Sequence, residues 1–231
     1  MDQPELFVFA GPNGAGKSTL SSSMVPPSTP IFDGDKEFIL LKKQFPGLDS
    51  GNLYDAVNGH VFSDWKETMK NRNTTCAFET NFRTEDIMKS VNEFKIKGYS
   101  TRLFFFGLDD IAMSFERVLL RVAKGGHDVS ADNIKANYKE SLINLQKYYH
   151  AFEQVILMKA ASKENGQGVS VYLKFAGGKI IEEAVNLPHW VNRIAIDMRT
   201  FVKQMKVQQD IVPPKHTQNP GRSLGSGGVK R

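Results

Sequence analysis

FVFAGPNGAGKST, residues 7–19, decides the fold. The apolar run Leu6–Ala10 reads as a strand, and Gly11-Pro12-Asn13-Gly14-Ala15-Gly16-Lys17-Ser18 follows it without a break. These eight residues match G-x-x-x-x-G-K-[ST] at every fixed position, between a strand and an amphipathic helix start. The physical reason is direct. Gly11, Gly14 and Gly16 let the backbone turn its N–H groups inward, and such a nest at a helix start binds anionic oxygens. Lys17 is expected to reach the β- and γ-phosphates of a nucleoside triphosphate, and the Ser18 hydroxyl to ligate Mg²⁺. Residues Gly11 to Ser18, with Thr19, form the expected nucleotide-binding set.

Outward from this loop, short apolar runs alternate with helical periods, which reads as βα units on a parallel sheet. Ser18–Met24 begins a helix that Pro26-Pro27 ends. Strands are expected at Ile31–Phe32, Thr74–Phe78, Thr101–Phe106 and Val155–Met158. Helical spacing runs through Leu53, Val57, Val61, Trp65 and Thr68 in Asn52–Lys70. It recurs through Ile87, Val91 and Phe94 in Thr84–Lys97, and through Ile111, Phe115, Val118, Leu119 and Val122 in Ile111–Lys124. Ala131–Tyr149 is a further helix, and Gly177-Gly178 between Val169–Phe175 and Lys179–Ile181 marks a β-hairpin. Leu187–Val207 is the last helix. The fold class read is α/β: a P-loop NTPase fold with a mostly parallel five-stranded sheet flanked by helices. A helical lid spans about 111–150, and a C-terminal β-hairpin plus helix completes a single domain, 1–211.

In open α/β sheets ligands sit beyond the carboxyl ends of the strands, so the polar residues there carry the chemistry. These are Asp33-Gly34-Asp35-Lys36, Glu79-Thr80-Asn81 and Asp109-Asp110. Asp35 is the expected proton acceptor, on a strand expected to lie beside the phosphate loop. Glu79 either helps to hold Mg²⁺ waters or binds substrate. Asp33 and Asp109 also read as helix caps. Arg117, Arg121 and Lys124 form one helical stripe ahead of Gly125-Gly126-His127. That is either a solvated basic face or a lid that brings cations over the phosphates on a glycine hinge. His127 reads equally as a structural histidine.

Composition limits the alternatives. Of 231 residues, 40% are hydrophobic and 24% charged, as in an ordinary soluble globule rather than a disordered or collagen-like chain. The longest apolar runs are far short of the ~20 residues that span a bilayer, so no membrane association is expected. Asp2 and Glu5 replace the basic start of a signal peptide. The single cysteine, Cys76, excludes an internal disulfide and a Cys-cluster zinc site and fits a reducing cytoplasm. Of the net charge of +5, four charges lie in residues 212–231, a Pro/Gly/Ser-rich stretch expected to be a disordered basic tail. The near-neutral body gives no reason to expect nucleic-acid binding.

The chain resembles the zeta-toxin-type P-loop kinases, especially their short, stand-alone bacterial members. The matching segments are FVFAGPNGAGKST (7–19), FDGDKE (32–37), FET (78–80), KGYSTRLFFFGL (97–108) and FERVLLRVAKGGHDVSADNI (115–134), within about residues 5–160. The resemblance implies a kinase with ATP or GTP as donor and Mg²⁺ as cofactor. It implies a small hydroxylic acceptor such as the sugar 3′-hydroxyl of UDP-N-acetylglucosamine, and an antitoxin as a possible protein partner. It casts Asp35 as general base, Lys17 and Ser18 as holders of nucleotide and Mg²⁺, Arg117 as a lid arginine with His127 near a second one, and Glu79 and Asn81 as substrate contacts. The expected catalytic set is then Asp35, Lys17, Arg117 and Arg121, and the expected substrate contacts are Glu79, Thr80, Asn81 and His127. Two departures stand out. The short members usually read E-T-T where this chain has Glu79-Thr80-Asn81. The toxins also place a substrate-binding glutamate on the helix before the third strand, where the nearest residues here are Ser63 and Asp64.

Two other functions share the loop. A non-catalytic nucleotide-binding regulator needs Lys17 and Ser18 but not Asp35. ABC-type ATPases carry GPNGAGKST too, but this chain has no LSGGQ-like signature and no candidate Q-loop.

Overall fold

A computed structural model describes residues 3–126, 128–160 and 168–211. His127 and the tail from 212 onward lie outside the described residues. The elements run β1 (Glu5–Ala10), α1 (Lys17–Leu20), β2 (Ile31–Phe32), α2 (Gly34–Gln44), α3 (Ser50–Ala56), α4 (Phe62–Arg72), β3 (Cys76–Thr80), α5 (Asp86–Ile96) and β4 (Ser100–Phe106). They continue through α6 (Ile111–Ala123), α7 (Ala131–Tyr148), β5 (Gln154–Ala160), β6 (Val169–Ala176), β7 (Lys179–Glu183) and α8 (His189–Ile211).

The sheet has seven strands in the order β2-β3-β1-β4-β5-β6-β7. The first five are parallel, as expected, but the C-terminal hairpin is no separate appendage: β6 pairs antiparallel with β5 and extends the sheet. The reason is the apolar alternation of β6, which buries Leu173 and Phe175 in the main core. The strand order also corrects the expected setting of Asp35. β3, not β2, is the neighbour of β1 on that side.

Central β1 is buried on both faces, as a parallel strand between helical layers must be. Leu6, Val8 and Ala10 join a core with Phe78, Phe94, Leu145 and Trp190, while Phe7 and Phe9 join another with Phe106 and Ile156. The expected inward helical positions are buried or half-buried, except Thr68 and Leu119, which are exposed. Helix α2 has no counterpart in the apolar spacing: Phe38-Ile39-Leu40-Leu41 is a contiguous apolar run without helical period, and only Phe38 is fully buried. Between α3 and α4 the chain stays helical but widens into a π turn at Val57–Val61. No helix among the described residues is long and apolar enough to cross a membrane.

Candidate active site

The loop after β1 wraps the start of α1. Gly11 lies at φ +138°, and a Cβ there would fall 2.1 Å from the Phe106 carbonyl oxygen. Gly14 lies at φ +75° with Arg117 so near that a Cβ would come 2.8 Å from that of Arg117. Two helices hold the loop from above. The Ser114 hydroxyl of α6 donates to the Asn13 carbonyl at 2.6 Å, and the Asn137 amide of α7 donates to the Asn13 side-chain oxygen at 2.7 Å. Arg117 donates to the Gly14 carbonyl at 3.1 Å. The buried Ala15 lies underneath, and Thr19 is exposed.

The Lys17 ammonium donates to the carbonyls of Gly11 at 2.7 Å and Pro12 at 3.1 Å, and to Asn81 Oδ1 at 3.0 Å. Burial pushes it down to about 8, against the pull of Glu79, Asp35 and Asp33. Glu79, at the end of β3, accepts from the Ser18 hydroxyl on Oε2 and from the Ser21 hydroxyl on Oε1 at 2.8 Å. Burial raises its carboxyl above the usual carboxylate range despite these two hydroxyls. Thr80 turns inward on the chain: its hydroxyl accepts from the Phe82 N–H at 2.9 Å, shaping the turn in which Phe82 adopts φ +52°.

The remaining carboxylates separate by role. Asp33 caps α2, accepting from the N–H groups of Asp35 and Lys36. Asp110, not Asp109, caps α6, while Asp109 pairs with Lys159. Asp35, in the first turn of α2, keeps its side chain 49% exposed and lies 3.8 Å from Arg121 NH1. Arg121 brings two further nitrogens, Nε and NH2, which are buried without a hydrogen-bond partner among the described residues. The arginine stripe therefore splits. Arg117 grips the loop and Arg121 faces the carboxylate, while Lys124 is exposed.

A cavity of about 1020 Å³ opens from Lys17, Ser18 and Glu79 toward α4 and α5, past Asp35 and Asn81. Its far wall includes Asn58 of the π turn, Ser63 and Lys66. Lys66 is tied to Ser90 at 3.1 Å and to Glu93 at 3.0 Å. Thus Lys17, Ser18, Asp35, Glu79, Thr80 and Asn81 all line one space, as does Ser63. No group of three or more His, Cys, Asp or Glu side chains among the described residues could hold a metal ion.

Sequence reasoning missed Ser21, Ser114 and Asn137. The last two carried a signal: each is a polar residue within the apolar stripe of its helix, where a buried side chain demands a partner. Ser21 carried none, being the first of three consecutive serines.

The strand order, the loop and the helix that follows it define a P-loop protein. Among solved structures the chain is similar to one from the PezAT chromosomal toxin-antitoxin system of Streptococcus pneumoniae, with 17% identity and a TM-score of 0.57 over 89% of this chain and 88% of that one. It is also similar to the AvrRxo1-ORF1:ORF2 complex, at 14% identity and a TM-score of 0.62 over 87% and 76% of the two chains; that complex has been solved with ATP as well. A kinase candidate from Chloroflexus aurantiacus matches at 17% identity and a TM-score of 0.50 over 61% and 80%. No family model matches the sequence. An uncharacterized protein of Haemophilus influenzae is 24% identical over 144 residues, 59% of this chain and 94% of that protein. The fold is the zeta-toxin-like form of the P-loop kinase fold.

Proposed function

We propose that the chain is a phosphotransferase of zeta-toxin type, which moves the γ-phosphate of ATP or GTP to the hydroxyl of a small acceptor. A UDP-sugar, UDP-N-acetylglucosamine first, is the acceptor class to test. The observation that carries the reading is the pairing of a half-exposed carboxylate with an underused arginine beside the phosphate loop. Asp35 and Arg121 face each other at 3.8 Å, and two guanidinium nitrogens lack partners among the described residues. A buried unsatisfied donor is costly, so a lid movement that brings the Arg121 guanidinium onto a phosphoryl oxygen would be favoured.

In this reading the loop N–H groups and Lys17 hold the phosphates, and Arg121 meets the charge of the transferring group. Asp35 accepts the acceptor's hydroxyl proton as the new O–P bond forms and the bond to the nucleoside diphosphate breaks. Asn81 keeps Lys17 aimed, and helices α6 and α7 act as the lid. The hard oxygens of Ser18 and Glu79, already hydrogen-bonded to each other, are the donor type that Mg²⁺ takes. Ser18 would ligate the ion and Glu79 would stand behind it; when bound, the ion neutralises phosphate charge. The cytoplasm is the proposed compartment. A protein partner is part of the proposal, since two of the structural neighbours are two-component systems.

The test is phosphate transfer from labelled ATP to UDP-sugars, nucleosides, free sugars and a metabolite extract, by wild type and Asp35→Asn. Asp35→Asn should bind ATP normally and transfer about 10²–10⁴-fold more slowly, the usual worth of a general base. Slow ATP hydrolysis equal in both proteins, with no labelled acceptor, would leave a nucleotide-binding regulator.

A further inference from the structure

Both oxygens of Glu79 are held by serine hydroxyls, and the two serines differ. Ser18, in the first turn of α1, is exposed and lines the cavity. Ser21, in the 3₁₀ turn that follows (Ser21–Ser23), is 3% exposed and donates to Glu79 Oε1 at 2.8 Å. Of the three consecutive serines it alone is buried. Ser22 is exposed, and Ser23 donates to the Leu20 carbonyl of its own turn at 2.8 Å.

A carboxylate offers about four lone-pair directions. Two are taken by these hydroxyls, one on each oxygen, so the group cannot rotate without breaking a bond. A serine hydroxyl has one proton and two lone pairs. With its proton committed to Glu79, the Ser18 oxygen must present lone pairs elsewhere, and its open side is the cavity. This is the arrangement of a metal ligand and the outer group that orients it. Ser21 lies one step further out.

Resting on the Mg²⁺-nucleotide reading above, we propose that Ser21 is a positioning residue for the metal. It locks Glu79, and Glu79 fixes the Ser18 hydroxyl with its lone pairs toward the ion. Ser21 touches neither ion nor nucleotide. Its removal therefore acts on the metal dependence of nucleotide binding and not on nucleotide binding as such.

Calorimetry of ATP binding, in EDTA and across a Mg²⁺ titration, tests this without any need for turnover. Ser21→Ala should bind ATP in EDTA as wild type does and require about 10-fold more Mg²⁺ for half its enhancement, the low end of losses from outer-shell groups. Ser22→Ala should behave as wild type. Ser21→Cys, close in size and a poor donor, carries the same expectation and serves if the alanine variant does not fold. A wild-type Mg²⁺ dependence in folded Ser21→Ala overturns the proposal. An equal loss with and without Mg²⁺ overturns it too, because Ser21 would then shape the loop as a whole. A wild-type protein whose ATP affinity ignores Mg²⁺ overturns the nucleotide reading and this proposal with it.

Discussion

The Lys17 ammonium has three protons, and three acceptors receive them: two loop carbonyls and Asn81. Because lysine only donates, the Asn81 amide must present its oxygen to Lys17 and turn its NH₂ the other way. Asn81 thus stands on the Lys17 side of the cavity, and under the proposed function it would serve the phosphate end instead of the acceptor contact that the resemblance implies. Hydrogen bonds to a charged group contribute about 1.5–3 kcal/mol each. Lys17→Ala should therefore weaken ATP·Mg²⁺ binding by more than about 100-fold. Asn81→Ala should weaken it by about 10-fold, with Lys17 itself still in place. Equal affinities for Asn81→Ala and wild type by calorimetry would return Asn81 to the acceptor. At this scale the spacing of glycines, lysine and serine makes Lys17 and Ser18 legible in the sequence by itself. The third partner of Lys17 comes from the end of another strand, a distance in sequence that no local motif spans.

Helix α6 shows what an element adds to its residues. Arg117 and Arg121 share one stripe and read alike in sequence, but one turn along the axis separates a loop carbonyl from a carboxylate. Their variants should differ accordingly. Arg121→Ala should cost up to about 10³-fold in turnover, the low end of the worth of a phosphate-facing arginine, with ATP affinity nearly unchanged. Arg117→Ala should weaken ATP binding by loosening Gly14. A Lys124→Ala control should turn over normally. Identical defects in the two arginine variants, measured as separate kcat and KM values, would show that the stripe acts as one face. Helix boundaries were legible wherever an apolar period runs under them. The π turn was not, because its cause lies in carbonyl pairing that side-chain spacing does not encode. Helix α2 was not, because its apolar run leaves Ile39 and Leu40 exposed.

At the scale of the sheet, the apolar runs of the sequence located all seven strands of the described residues but not how the last two are used: a hairpin is a local pattern, and its docking on β5 is a long-range choice. The sheet centre offers an independent check. Cys76 opens β3 with no exposed surface, and burial pushes its thiol up to about 12 from an ordinary value of 9. A thiol reacts as thiolate, so at a pH of about 8 the native protein should not react with Ellman's reagent, while the denatured protein should titrate one thiol per chain. Rapid labelling of the native protein would mean that the sheet opens.

Asn13 is held by α6 through its carbonyl and by α7 through its side-chain oxygen, so the phosphate loop and the helical pair above it form one mechanical joint. Thermodynamic linkage then works in both directions. If nucleotide shifts this pair, anything that grips the pair must alter nucleotide affinity by the same factor as nucleotide alters the grip. A protein seated on α6 and α7 need not reach the cavity to control it. Its effect would read out as a change in ATP affinity that Asn13→Ala, which cuts the α7 link and leaves the α6 link to the main-chain carbonyl, weakens, a signature distinct from competition for the site.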